Sequence, residues 1–100
     1  MGQIGKLIEI LARLDELDSE ETIYACEPWT ADSNTMVTLE DPESGLPFGV
    51  PRQAAEAGMT YFLEVFTTRE VVEGWLNNLD EKPTLAAICQ GVIQYAIYDA

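Results

Sequence analysis

Thr60-Tyr61-Phe62-Leu63-Glu64-Val65-Phe66-Thr67 decides how the rest of the chain is read. The run is almost wholly β-branched or aromatic. Both of its alternating faces are apolar apart from Glu64, which predicts a central strand covered on each side. Directly after it, Thr67-Thr68-Arg69-Glu70 sets a Thr three residues before a Glu, the spacing of a helix capping box. The helix so opened carries Val71, Val72, Trp75, Leu76 and Leu79 on one stripe, and Asp80-Glu81-Lys82-Pro83 ends it. Thr84 then suits the cap of a last helix, with Leu85, Ile88, Cys89, Val92, Ile93, Ala96 and Ile97 along one face. Gly91 within it costs about 1 kcal/mol of helix propensity and predicts a close approach between helices.

Upstream of the decisive strand, Pro51 suits the start of a short helix through Ala57, with Gly58 as its C-terminal cap. Residues 40–50 hold Pro42, Gly45, Pro47 and Gly49 and predict a loop. Thr22-Ile23-Tyr24-Ala25-Cys26 and Thr35-Met36-Val37-Thr38-Leu39 are β-prone runs separated by Pro28-Trp29-Thr30-Ala31-Asp32-Ser33-Asn34, which predicts an antiparallel pair. Residues 3–17 place Ile4, Leu7, Ile8, Leu11 and Leu14 on one helical stripe, widened by Ile10 and Leu17, with Glu9 and Arg13 as a favourable i,i+4 pair. The expected fold is α+β: a small antiparallel sheet of about three strands packed with helices, in the order α-β-β-α-β-α-α, as a single domain over residues 1–100.

Composition narrows the function classes. Hydrophobic residues make up 47% and charged residues 23%, as in an ordinary folded domain, but the net charge is −13 and there is no His. Direct nucleic-acid binding and attachment to anionic membranes both need a basic face, so neither is expected. The charge steers towards basic proteins or cations. Cys26 and Cys89 form no CxxC pair, and Met1-Gly2-Gln3-Ile4-Gly5-Lys6 lacks both an apolar signal core and the Ser or Thr that a myristoylation pattern wants at Lys6. The expected location is cytoplasmic.

Catalytic chemistry finds little to work with. Without His, a Ser-His or Cys-His pair cannot form within the chain. Glu64 is the one carboxylate that interrupts an apolar strand, and a single carboxylate without a placed partner specifies no reaction. Asp41, Glu43, Ser44 and Gly45 offer oxygen ligands, but Gly45 is fifth from Asp41 and residues 46–52 carry no acid, so the calcium-loop spacing fails. Asp32-Ser33-Asn34 is equally incomplete. Gly45 and Gly49 precede no basic phosphate-binding residue. No cofactor, metal or catalytic residue is expected.

The acids are unevenly distributed. Residues 1–50 hold eleven acids and two bases, and between Arg13 and Arg52 ten acids meet no base. Asp15, Glu16, Asp18, Glu20 and Glu21 form one group; Glu27, Asp32, Glu40, Asp41 and Glu43 decorate the loops beyond. If the first two strands pair, these are expected to merge into one negative patch with Trp29 as its aromatic anchor. The candidate partner-binding residues are therefore Glu27, Trp29, Asp32, Glu40, Asp41 and Glu43.

Several residues carry a family likeness. Tyr24 to Val37 with Trp29-Thr30 and Asp32, then Val50-Pro51, Ala54, Gly58-Met59, Tyr61, Leu63, Val65, Val71 and Val72, and finally Tyr95 and Tyr98, resemble a group of small acidic bacterial proteins of unknown function. The likeness covers about two thirds of the chain, on mostly apolar positions. It implies a single bacterial domain, found near mobile elements or toxin genes, and no catalytic residue. The reading favoured here is a non-catalytic acidic protein that masks a basic partner protein, as immunity proteins and nucleic-acid mimics do. The alternatives are a homodimer with a ligand-binding or structural role and a small enzyme using carboxylates such as Glu64.

Overall fold

The pairing expected between residues 22–26 and 35–39 forms the middle of the sheet. A computed structural model describes residues 3–78 and 80–98 of the chain. In it β2 (Thr22–Cys26) and β3 (Asn34–Thr38) are antiparallel, with Thr22 opposite Thr38 and Ala25 opposite Thr35. β1 (Gln3–Lys6) adds to β3 and β4 (Met59–Glu64) to β2, giving an antiparallel sheet in the order β1-β3-β2-β4. The helices are α1 (Leu7–Ala12), α2 (Arg52–Glu56), α3 (Val65–Asn78) and α4 (Leu85–Tyr98). The α+β class stands, with four strands where about three were expected.

Two boundaries differ from the sequence reading, each for a visible reason. Residues 3–17 are not one helix. Gln3 to Lys6 pair with Val37 to Asn34, and the chain turns helical only at Leu7. There the β2–β3 loop takes over the first unpaired helix donors: Leu7 N–H donates to Ser33 O (2.9 Å) and Ile8 N–H to Ala31 O (3.0 Å). Lys6 N–H donates to the Glu9 carboxylate at 2.9 Å, closing the turn. A 3₁₀ turn at Leu14–Glu16 ends the segment.

The second difference lies in the stretch that decided the reading. β4 stops at Glu64, and α3 starts at Val65, whose N–H donates to Glu21 O at 3.0 Å. Thr67 and Glu70 therefore lie within the helix and form no capping box. Thr68 is buried and donates its hydroxyl back to Glu64 O at 2.9 Å. β4 is also an edge strand, not a central one. The double apolar face has another cause. Ile23 faces Leu63 while Tyr24 faces Tyr61, so Phe62 is an extra, bulged residue, and Phe62 and Leu63 both join the helix-side core.

That core unites Leu7, Ile10, Leu11, Leu14 and Leu17 with Ile23, Val37 and Phe62 of the sheet and with Val65, Val72, Cys89, Val92 and Ile93 of the last two helices. Arg69 fastens α3 to the 3₁₀ turn by donating from Nε (3.1 Å) and Nη2 (2.9 Å) to Leu14 O, and from Nη2 also to Leu17 O. Thr84 caps α4 by accepting from Ala87 N–H at 3.1 Å. At Gly91 a Cβ would lie 2.8 Å from the Trp75 ring, so α3 and α4 approach as closely as the glycine predicted. On the opposite sheet face a smaller apolar cluster joins Tyr24, Met36 and Met59 of the strands to Ala54 of α2 and Val50 of the irregular residues 39–51. Met1, Gly2 and Leu79, on which parts of the sequence reading rest, lie outside the described residues.

Candidate functional site

In an antiparallel pair the connecting loop sits at one end and the outer termini at the other, so Glu27, Trp29 and Asp32, in or beside the β2–β3 loop, are set off along the strands from Glu40, which follows β3. Five residues of strand span about 16 Å. The segment that carries Asp41 and Glu43 turns back, and its Leu46 and Phe48 share a depression with Glu27. The acids between Asp18 and Glu21, which precede β2, share the second end, where Glu64 stands opposite Thr22. Thr22 is a junction there, since its hydroxyl donates to the Glu40 carboxylate at 3.3 Å. Acids therefore stand at both ends of the β2–β3 pair.

Several of these side chains have local structural work. The Asp41 carboxylate accepts from Glu43 N–H at 3.1 Å and caps a 3₁₀ turn at Pro42–Ser44. Asp32 is exposed, and its carbonyl accepts from Lys6 Nζ at 3.5 Å. Trp29 folds back on the sheet. Its ring meets Phe62 edge-on with centroids 4.8 Å apart, and its indole N–H donates to Ala25 O at 3.3 Å. Only part of the ring is left to face solvent.

That remaining part lines a cleft the sequence reading missed. A depression of about 370 Å³ is bounded by Glu27, Trp29, Phe48, Val50, Met59 and Tyr61, among others. It adjoins a second of about 410 Å³ along Pro28, Trp29, Ala96 and Ile97, sharing Glu27 and Trp29 with it. A third of about 270 Å³ shares Leu46 and Ala55 and reaches Arg52 and Glu56. Linked by these shared residues, the three form a groove along Met59, Thr60 and Tyr61 of β4. Phe48 is its most exposed wall, at 75%, and stacks on Tyr61 with centroids 5.5 Å apart. The available signal was Leu46 and Phe48, two large apolar side chains in a loop otherwise made of breakers.

Around the Tyr61 end the chemistry is phenolic and acidic. Burial pushes the Tyr61 hydroxyl above its ordinary pKa, reinforced by the charges of Glu64 and Glu40. The buried Tyr24 hydroxyl has no hydrogen-bond partner among the described residues. Burial raises its pKa to about 12, opposed by the nearby Thr22 hydroxyl and assisted by Glu40 and Tyr61. Glu64 itself is exposed at the end of β4. Cys26 and Cys89 are free thiols, Cys26 half-buried and Cys89 buried, and burial, then the charge of Asp32, raises the pKa of Cys89. Among the described residues no three His, Cys, Asp or Glu side chains are grouped to hold a metal ion, and no helix is long and apolar enough to cross a membrane.

No protein-family model, curated protein or solved structure matches the chain. The likeness to small acidic bacterial proteins rests on its residues alone.

Proposed function

We propose that this chain is a non-catalytic binding protein that masks a basic surface on a partner protein, in the manner of immunity proteins and nucleic-acid mimics. The observation that supports this reading is the run of ten acids without a base between Arg13 and Arg52. Such a concentration of negative charge favours a partner with basic side chains and raises the rate of encounter. The bacterial, cytoplasmic setting and the placement near mobile elements or toxin genes belong to the same proposal.

The test is capture on the tagged protein from a lysate of the source cells, washed at low and then high salt. One basic protein, retained at low salt and released by high salt, is the expected result. No enriched protein at either salt would overturn the reading. A homodimer is the second reading, favoured by the exposed Ile97 and Tyr98 side chains at the end of α4. Sizing in solution separates the two.

A further inference from the structure

From the groove along β4 we infer how such a partner is held: an extended basic segment lies there, with an apolar side chain seated between Trp29 and Phe48 and flanking Lys or Arg meeting the acids at the rim. This rests on the masking function proposed above and assigns it a place and a chemistry.

Three observations converge on the groove. Its floor includes Met59, Thr60 and Tyr61, consecutive residues of a strand paired to β2 on one side and, among the described residues, to no strand on the other. An extended chain is the shape that fits beside such an edge. Phe48 is held at a φ of 59°, a conformation that is rarely adopted by a bulky side chain, and it presents an exposed ring. Left-handed backbone and an unburied aromatic both cost free energy, and the combination places a flat apolar wall opposite Trp29. The rim is charged with one dominant sign. Glu27 lines two of the depressions and Glu56 the third, and the Glu40 side chain reaches within 3.4 Å of where a Cβ on Gly49 would lie, beside Phe48. Arg52 is the one base lining the three depressions. A second copy of the chain would bring another net −13 against these acids, whereas a basic segment relieves them.

Titration of the ¹⁵N-labelled protein tests this with defined probes: a short synthetic peptide alternating Lys with Val around a central Trp, the same peptide with Glu for Lys, and a third with Ser for Val and Trp. The Lys–Val–Trp peptide is expected to give saturable amide shifts at Glu27, Trp29, Phe48 and residues 59–61, while the other two give none there. Phe48→Gly relieves the positive φ, so it should keep or raise the melting temperature while weakening that peptide at least about tenfold. Glu27→Lys should weaken it without altering the fold.

Four results would overturn the assignment. These are no shifts in the groove, equal binding of the Glu peptide, undiminished binding to the Phe48→Gly protein, or the same groove shifts on concentrating the protein alone, which would make the occupant a second copy. Shifts confined to residues 15–21 and 40–43, and given equally by the Ser peptide, would remove the groove from the account. They would leave the masking reading standing, because charge alone would then attract a basic partner.

Discussion

The two faces of the sheet are built to different standards. On one, three helices interlock with Ile23, Val37 and Phe62, Arg69 ties α3 to two carbonyls, and Gly91 admits Trp75 to close contact. On the other, Tyr24, Met36 and Met59 pack with Val50 and Ala54 of a segment made of 3₁₀ turns, prolines and one short helix, with the Tyr24 hydroxyl unpartnered among the described residues. The first face holds the larger core. The second carries the exposed Phe48 on one side of the groove, while Trp29 on the groove's other side packs against Phe62 of the first face.

The largest effect that tests this division is on the packed face. Phe62→Ala should destabilise the protein by about 3–5 kcal/mol in urea unfolding, against about 2 kcal/mol for Met36→Ala on the other face. Equal losses would break the comparison. Next in size is the contact between α3 and α4. Gly91→Val forces a side chain into Trp75 and should cost about 1–3 kcal/mol. Gly74 on α3, where a Cβ meets nothing within 4 Å, should instead gain up to about 1 kcal/mol when changed to Ala. Thermal melts of the two variants should move in opposite directions.

How much of this division was legible in sequence depended on the kind of signal. α4 was readable because Thr84 and a regular apolar stripe agree, and α2 because Pro51 and Gly58 bracket it. The β2–β3 pair was readable from its β-prone runs and the turn residues between them. β1 was not, because Ile4 falls by chance on the same helical spacing as Leu7, Ile8 and Leu11; pairing with β3 overrides that periodicity. The start of α3 was hidden because Val65, Phe66 and Thr67 favour strand by composition, while the bond from Val65 to Glu21 and the burial of Thr68 are tertiary facts. At the candidate site the acidic content was plain in sequence. The presence of acids at both ends of the β2–β3 pair follows only once the strands are known to pair, and the exposure of Phe48 only once its ring is seen against Tyr61.

A smaller effect sharpens the contrast at alkaline pH. Tyr24 titrates in the folded protein near 12 against about 10 in an unfolded chain, so the unfolded state loses its proton first. The associated stability is complete below pH 10 and is lost as the pH rises towards 12. Tyr61, also raised, acts in the same direction. Unfolding measured across this window should show a falling midpoint, and Tyr24→Phe should make the fall shallower. An unchanged slope in that variant would contradict the burial of the hydroxyl.

The most direct measurement of the central claim is the association rate between this protein and its captured basic partner as salt is raised. Because the acids steer encounter, association should slow at least about tenfold between low salt and about 0.2 M, and reversal of charge by Asp32→Lys with Glu43→Lys should slow it strongly at low salt. A rate indifferent to both salt and charge reversal would contradict the account.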